Sequence, residues 1–310
     1  MLRKMTVEDI PFIQIIDKLC FATENIRRFE LMESFIDEKA SLVYECDGKI
    51  AGYIFNHVLG SFAWFGTLGV HPDFRSKNIG KQLVNETINI FHNEFKVKNI
   101  GLVTMPYSSY NIGFYLNLGF KAKELALRLS KSIVALPVSK ALSSIYEVKI
   151  IDIDNKLEFQ QILALCSKIS ASLQEGLDMC PELYSISRSK MGTGFIVYRN
   201  QEAVGFGILR TKTVFDEEST SLSIKLLCLK ASASPYETAI DEVLNSVYEY
   251  SSKKGYQQIF IDVNTVDSSI CSHLLKHHGF KIDKPSLSLI MGEDNFYSNF
   301  NGLMLFKTVT

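Results

Sequence analysis

The chain has 310 residues, a hydrophobic content of 46% and a formal net charge of -1 at pH 7. A chain of this length favours two domains of ordinary size, and the near-neutral charge argues against a general nucleic-acid-binding surface. Its apolar runs are too short for a membrane helix, and its first residues carry acids and a proline where a signal peptide needs an apolar run. We therefore expect a cytoplasmic protein without a membrane or nucleic-acid partner.

The cysteines do not follow the pattern of a metal site or of a disulfide framework. No two of them form a C-x-x-C pair, and several fall on apolar periodic positions, which is typical of buried thiols. The sequence therefore predicts no bound metal and no disulfide. The six cysteines are Cys20, Cys46, Cys166, Cys180, Cys228 and Cys271.

The first part of the chain predicts the element order β-α-α-β-β-β-α-β-α-β. A strand at 1–5 precedes a helix at 7–21, and a looser helical segment covers 23–40. Asp47-Gly48 is a strong hairpin signal between two strands, and Gly60-Ser61 marks the next turn. The last strand of this part is predicted at 122–130. The apolar face of the first helix consists of Ile10, Ile13, Ile16, Leu19 and Cys20.

Residues 64–95 predict a strand, a basic loop and a helix in succession. The first amides of a helix lack intrahelical partners, and the helix dipole adds roughly half a positive charge at that end. Asn78 and Gly80 can adopt left-handed conformations or let a ligand approach the backbone closely. With the added charges of Arg75, Lys77 and Lys81, the loop favours a phosphate or pyrophosphate site. Taken alone, the same loop also fits a simple connection.

This loop resembles the acetyl-CoA loop of the GNAT superfamily of N-acetyltransferases, whose pattern is L-x-V-x-P-x-x-R/Q-x-x-G-x-G/A. Asn78 replaces the first loop glycine, and asparagine is the residue next best suited to the left-handed region. A second match follows at the family's distance, where a strand at 99–105 precedes a helix that ends in Tyr-x-x-x-Gly-Phe. The resemblance covers residues 1–130. The matched positions are Leu68, Val70, Pro72, Arg75, Gly80, Tyr115, Gly119 and Phe120.

The resemblance implies an α/β fold with a mixed α+β sheet and acetyl-CoA as the co-substrate. It places the pantetheine between the strand that ends at Val70 and the strand at 102–105, with a backbone N–H near Val70 bonded to the thioester carbonyl. Gly69 is compatible with a bulge there, and Ser108 fits a helix N-cap as well as a ligand. The expected cofactor-binding residues are Leu68, Gly69, Val70, Arg75, Ser76, Lys77, Asn78, Ile79, Gly80, Lys81, Ser108 and Asn111.

The resemblance also makes Tyr115 the candidate general acid, because the leaving thiolate needs a proton and a phenol can supply one. The alternative is a core aromatic beside Phe114. Many relatives use a glutamate on the strand before the loop as the base, but 65–68 contain no carboxylate, so we assign no base. Other candidates, each of which also fits a solvated surface group, are Glu24, Glu30, Glu33, Glu45 and His57.

The second half repeats this order of elements, and Gly279-Phe280 corresponds to Gly119-Phe120. We therefore expect two tandem GNAT-like acyl-CoA N-acyltransferase domains, with a GNAT domain at 1–132, a linker at 133–145 and a degenerate GNAT-like domain at 146–310. The loop at 231–235 has neither glycine nor arginine, and Leu275 stands where the first half has Tyr115. We expect the second half not to bind acetyl-CoA, and either to brace the first domain or to close over its acceptor pocket.

Three functions fit these features. The leading one is transfer of an acetyl group from acetyl-CoA to an amine, either a small molecule or a peptide, whose identity the sequence leaves open. The second is a CoA-binding sensor or scaffold without turnover, which the missing carboxylate favours. The third is a protein acyltransferase that grips a peptide with its second half. A homodimer is compatible with each of them.

Overall fold

The computed structural model describes residues 1–21, 24–36, 39–133, 145–217, 219–293 and 296–307. The predicted linker therefore lies outside the described residues except for its two ends. The helices are α1 Ile10–Phe21, α2 Phe29–Ile36, α3 Ile79–Asn93, α4 Ser109–Leu116, α5 Lys156–Leu173, α6 Cys180–Ser189, α7 Tyr236–Lys254 and α8 Ser268–Lys276. The strands are β1 Leu2–Lys4, β2 Leu42–Cys46, β3 Lys49–Leu59, β4 Phe62–Val70, β5 Asn99–Thr104, β6 Lys121–Ser132, β7 Tyr146–Ile150, β8 Gly192–Arg199, β9 Glu202–Arg210, β10 Ser221–Lys230, β11 Gln258–Asn264, β12 Lys281–Met291 and β13 Gly302–Phe306.

The first half has the predicted order of helices and strands, and Asp47 and Gly48 take the positive φ values of 51° and 70° that a tight hairpin turn needs. The first helix differs from prediction in one respect, because Leu19 is 48% exposed and does not join the core. Ile10, Ile13 and Ile16 of the predicted face are buried. The sequence analysis did not identify α6, β12 or β13.

The strands of both halves form one continuous mixed sheet. Across the described residues its order is β1-β2-β3-β4-β5-β12-β6-β11-β10-β9-β8-β7, with β13 paired to β10. The fold class is therefore the predicted mixed α/β class, but the two halves share a sheet.

The halves are joined by an exchange of strands, in which β6 of the first half and β12 of the second half each pair with strands of the other half. β12 of the second half pairs with β5, where Leu289 lies opposite Leu102, and with β6 on its other edge. β6 of the first half in turn pairs with β11, where Leu127 lies opposite Val263. Each half thus completes the sheet of the other, and the boundaries at 132 and 146 remain a prediction about sequence units.

Helices cover the sheet on both faces. α3 and α4 pack on one face of the first half, and α7 and α8 pack on the same face of the second half. α1, α2, α5 and α6 cover the opposite face in one common core that includes Phe62 and Trp64 of β4. In that core Phe62 stacks on Phe296 at a ring distance of 4.5 Å, and Ser34 of α2 bonds Ser185 of α6 at 2.9 Å.

Among the helices of the described ranges, none combines the length and the apolar character that crossing a membrane would require.

Candidate functional site

A gap opens between β4 and β5 in the first half. The two strands pair in parallel from Phe62 opposite Asn99 to Trp64 opposite Gly101, and there the ladder stops. β4 then continues to Val70 and β5 to Thr104 without pairing to each other in the part of the chain that is described. The backbone edges that face this gap can accept an extended ligand, because unpaired strand edges offer free N–H and C=O groups.

The basic loop lies between β4 and the start of α3. Ser76 and Asn78 both have left-handed backbones, with φ values of 63° and 59°. Asn78 is the N-cap, and the N–H of Gln82 donates to its carbonyl at 3.0 Å. The amides of Ile79, Gly80 and Lys81 come before this first helical bond, so they are the ones that point out of a helix N-terminus. This arrangement is suited to an anion.

Gly80 does not supply one of the left-handed conformations of the loop, whereas Asn78 does. Gly80 is part of α3, and an added Cβ would only reach ordinary contact with Val70 Cγ2 at 3.7 Å. The left-handed conformations that shape the loop fall on Ser76 and Asn78 instead. The substitution of asparagine for the family's first glycine is therefore compatible with the backbone that the loop adopts.

The cationic side chains of the loop are exposed. Arg75 Nε donates to the Val70 carbonyl at 3.4 Å, which holds the loop against the end of β4. Lys77 Nζ lies 5.0 Å from the ring centre of Phe74, and Lys81 projects from the first turn of α3 into solvent. Their charges add to the field of the helix N-terminus, where a diphosphate would carry the opposite sign.

The bulge in β4 lies closer to the start of the gap than predicted. Between Phe65 and Leu68 two residues of β4, Gly66 and Thr67, stand opposite a single residue of β3. Gly69 is in regular register with Tyr53, and an added Cβ there would come within 2.5 Å of Tyr53 Cε1. The predicted bulge at Gly69 is therefore wrong. A glycine is needed at this position because the Tyr53 ring leaves no space for a Cβ.

At the start of α4, Ser108 acts as a helix cap. Its hydroxyl accepts a hydrogen bond from the Asn111 N–H at 3.3 Å, as expected of an N-cap. Asn111 itself is half-buried. Of the two roles that the sequence left open for Ser108, the structure provides the capping contact.

Tyr115 lies on the same face of the sheet as α3. Its ring centre is 6.0 Å from that of Phe65 on β4, 5.1 Å from Phe114 and 6.0 Å from Phe120. Burial raises the pKa of Tyr115 to about 12. Its phenol is therefore protonated throughout the neutral range, beside the bulge where β4 leaves β5.

The candidate bases differ in their exposure to solvent and in their partners. Glu24, Glu30 and Glu33 are exposed, and Glu45 accepts a hydrogen bond from Arg3 at 3.1 Å. His57 contradicts the expectation of a solvated group, because it is buried in the core.

His57 stacks on the indole of Trp64 at a ring distance of 3.9 Å. Burial lowers the pKa of His57 to about 3, so the ring is neutral at pH 7. Within the described residues, neither its Nε2 nor Trp64 Nε1 has a hydrogen-bond partner. The ring therefore offers a neutral polar atom next to β4.

A buried acid behind β4 escaped the sequence analysis. Asp17 of α1 is 1% exposed, accepts a hydrogen bond from the Tyr53 hydroxyl and pairs with Arg27 at 3.3 Å. Tyr53 in turn lies under Gly69. The signal that could have revealed Asp17 is its position on the apolar stripe of α1, one turn after Ile13.

The face opposite α3 and α4 also carries an excess of positive charge between the two halves. Lys225 pairs with Glu182, and Lys307 lies 3.8 Å from Asp262. Arg210 has no ion pair in the described part of the chain, and its Nε is buried without a hydrogen-bond partner. Burial lowers the pKa of Arg210 to about 10; the charge of Glu182 opposes this shift, and the charge of Arg128 adds to it.

The second half contains the same kind of gap, but it is filled. β10 and β11 pair from Ser221 to Ile224 and then separate. From Leu226 onward β10 pairs instead with β13, whose Phe306 lies opposite Leu226. The chain therefore occupies its own second gap with five paired residues, and Leu303 and Leu305 of this strand join the core under α7 and α8.

Comparison with known proteins agrees with this geometry. Residues 37–122 match the model of an acetyltransferase (GNAT) domain. A putative acetyltransferase from Pyrococcus horikoshii is similar in structure, with 16% identity over 99% of this chain and 94% of that one and a TM-score of 0.68. A GCN5-related N-acetyltransferase from Sphaerobacter thermophilus has 12% identity over 100% and 98% of the two chains, with a TM-score of 0.61.

A tandem GNAT protein from the clavulanic acid biosynthesis pathway is also similar, with 10% identity over 94% of this chain and 98% of that one and a TM-score of 0.59. A sequence search of the curated proteins finds no match. Residues 37–122 thus form a GNAT domain, the fold of a family of N-acyltransferases. The GNAT match itself covers residues 37–122, and the fold of the chain as a whole is similar to that of a tandem GNAT protein.

Proposed function

We propose that the first half is an acetyl-CoA-dependent N-acetyltransferase and that the second half does not bind acetyl-CoA. The observation that carries this proposal is the contrast between the two gaps. The first gap is unpaired and opens beside a basic helix N-terminus, whereas the second is filled by β13. A single donor site per chain follows.

The donor would bind with its diphosphate on the amides of Ile79, Gly80 and Lys81. Asn78 and Ser76 shape the loop, and Arg75 and Lys77 supply positive charge around it. The pantetheine would extend between β4 and β5, where backbone groups of the segment 68–70 can bond its amides and the thioester carbonyl. Asn111, half-buried at the start of α4, would provide a further polar contact.

The reaction needs few protein groups. The amine nitrogen attacks the thioester carbonyl carbon, the new C–N bond forms, and the C–S bond breaks. The thiolate of CoA then takes a proton from Tyr115, and the amine nitrogen gives up its own proton to solvent or a bound water. Solvent returns a proton to Tyr115, so the enzyme is restored. Burial that raises the pKa of Tyr115 also disfavours a thiolate in the same place, so the neutral thiol is the preferred product there.

The acceptor would approach from the face opposite Tyr115. Phe65, Tyr115 and Phe120 fill the face under α3 and α4, so an amine can reach the carbonyl only from the side of α1 and α2. On that side His57 is neutral and has an unpartnered Nε2.

The same face favours an acceptor that carries a negative group besides its amine. The buried Nε of Arg210 and that of Arg128 lack hydrogen-bond partners in the described chain. A carboxylate or phosphate on the acceptor would satisfy these donors in the bidentate geometry that guanidinium groups prefer. The second half thus contributes Arg210 to the acceptor side while it binds no donor of its own. We further propose the boundaries 1–132 and 146–310 for the two copies and a cytoplasmic location.

Calorimetry with acetyl-CoA, followed by a turnover assay on a panel of neutral and anionic amines, tests the proposal. We expect one acetyl-CoA per chain and release of free CoA with at least one amine. Two sites per chain would contradict the assignment of the second half. One site without turnover on any amine or peptide would favour the sensor function, for which the absence of a carboxylate at 65–68 is the supporting observation.

A further inference from the structure

A cluster of two histidines and an aspartate lies in the second half, far in sequence from the donor loop. Asp241 of α7 has one carboxylate oxygen that contacts two imidazoles, with His273 Nε2 at 2.6 Å and His278 Nε2 at 2.7 Å. The ligand atoms of the three residues all lie within 4.8 Å of one another. Asp241 and the two histidines are more than 30 residues apart in sequence, so only the packing of α7 against α8 brings them together.

The local fold explains why these atoms converge. α8 ends at Lys276, and the N–H of Phe280 donates back to the Leu274 carbonyl at 3.1 Å across Gly279, whose φ is 67°. This left-handed glycine closes the helix and turns the chain toward β12. His278 is thereby brought to the same side of α8 as His273, facing α7.

The first half has apolar or small residues at the matching positions. When the two Gly-Phe pairs are aligned, His273 corresponds to Gly113 and His278 to Leu118. Leu118 packs on the core under α3 and α4. At these two positions the second half has imidazoles where the first half has a glycine and a packed leucine.

We propose that Asp241, His273 and His278 bind a divalent zinc ion. Two imidazole nitrogens and one carboxylate are ligands that zinc accepts, with a solvent molecule completing a tetrahedron. On binding, both Nε2 atoms would coordinate the ion through their lone pairs, and the ring protons would reside on Nδ1. Asp241 then compensates part of the charge of the ion.

The surroundings allow an ion to enter. The three side chains are between 14% and 26% exposed, so the ligand atoms are sheltered without being sealed. Ser269, Ser272, Lys276 and His277 line a shallow pocket beside His273. Burial lowers the pKa of His278, while its contact with Asp241 acts in the opposite direction.

The ion would link three parts of the second half next to the start of β12. It would tie α7 to α8 and to the turn that leads into β12. β12 is the strand that crosses into the first half and pairs with β5, one wall of the proposed donor gap. Zinc would therefore stabilise the turn from which β12 crosses to the first half, without taking part in chemistry at the donor site.

The test uses the full chain without an affinity tag, after dialysis against EDTA. We expect one Zn²⁺ per chain by calorimetry, a rise in melting temperature on adding zinc, and a cobalt(II) adduct with visible absorption bands. Zinc affinity should fall in acid, since protons compete for imidazole ligands. This site is independent of the proposed acetyl-CoA site, so acetyl-CoA binding is measured separately.

Three variants locate the ligands. His273→Asn and His278→Asn should each weaken zinc binding by more than the roughly 100-fold that loss of an outer-shell partner costs. His277→Asn, which removes the exposed neighbouring imidazole, should keep the affinity of the wild type. Melting in EDTA shows whether each variant folds. No zinc or cobalt binding by the wild type, or an equal loss in His277→Asn, would overturn the proposal.

Discussion

The rings of Tyr115 and Phe65 lie 6.0 Å apart, next to the bulge where β4 leaves β5. Tyr115 comes from α4 and Phe65 from β4, so this contact places the phenol of one element beside the unpaired edge of another. Burial in this aromatic cluster raises the pKa of Tyr115 to about 12. Tyr115 is therefore protonated at neutral pH, and its role as proton donor depends on its position beside β4 and not on an acidic pKa.

Replacing Tyr115 by phenylalanine should slow turnover and leave donor binding intact. We expect kcat to fall by about 100-fold or more, the usual contribution of a positioned proton donor, while the Kd for acetyl-CoA stays unchanged. Steady-state kinetics and calorimetry measure the two quantities. Tyr110→Phe is the matched control, because Tyr110 lies on the same helix and is 78% exposed. An unchanged kcat in Tyr115→Phe would remove this residue from the mechanism.

The left-handed backbone of Asn78 predicts opposite outcomes for two substitutions. Asn78→Gly should keep the acetyl-CoA affinity, since glycine adopts a φ of 59° freely. Asn78→Val must place a β-branched residue there at a cost of about 1–2 kcal/mol, which corresponds to roughly tenfold in affinity if the loop relaxes. Calorimetry with acetyl-CoA compares them. Equal affinities for both variants would show that the loop does not hold the donor.

Arg210 should matter for the acceptor but not for stability. Arg210→Met should leave the free energy of unfolding unchanged or raise it, because it removes a buried charge that has no ion-pair partner in the described chain. The KM for amines that carry a carboxylate should rise by about ten- to a hundred-fold, the value of a charged hydrogen bond, while neutral amines are unaffected.

Urea denaturation and kinetics on paired substrates measure these effects of Arg210→Met. Lys212→Met, at an exposed position two residues further on, serves as the charge control and should change neither quantity. A destabilised Arg210→Met variant with no change in KM would assign Arg210 a purely structural role.

His57 should make the protein sensitive to acid. Its pKa is about 3 in the folded state and about 6.5 in an unfolded chain, so the unfolded state binds one more proton between these values. Stability should therefore fall as the pH drops from 6 to 4, by about 1.4 kcal/mol per pH unit from this group. Urea denaturation at several pH values measures the slope.

His57→Gln should lose this part of the slope, although it also loses the contact with Trp64 and is less stable at every pH. His92→Gln is the control, since His92 is exposed on α3 and should keep the slope of the wild type. The prediction is wrong if His57→Gln and the wild type lose stability in parallel.

The parts of the structure that were predictable are those set by short stretches of chain. Asp47-Gly48 makes its hairpin, and Asn78 takes a left-handed conformation at the start of α3, because each depends on the residue's own backbone preference. The cap at Ser108 is likewise local, since its hydroxyl reaches an amide three residues away. The GNAT motifs consist of such local features, which is why they were visible in the sequence.

The features that were missed involve partners far apart in the chain. Nothing in the alternation of β12 distinguishes pairing with β5 from pairing within its own half. His57 has the same appearance in the sequence as a surface residue of a strand, and only its stacking on Trp64 shows that it is buried. Asp241 and His278 are 37 residues apart, so their convergence depends on how α7 packs against α8.

The sequence by itself determined the order of elements in the first half, the left-handed backbone of the basic loop before α3 and the cap at Ser108, because turn conformations, helix caps and hydrophobic periods depend on neighbouring residues. Only the tertiary structure decided which strands exchange, which gap stays unpaired and which charges are buried without partners. Those outcomes depend on competition among strand edges and side chains from both halves for the same positions. β13 pairs with β10 rather than leaving the second gap open because Leu303 and Leu305 bury their side chains there.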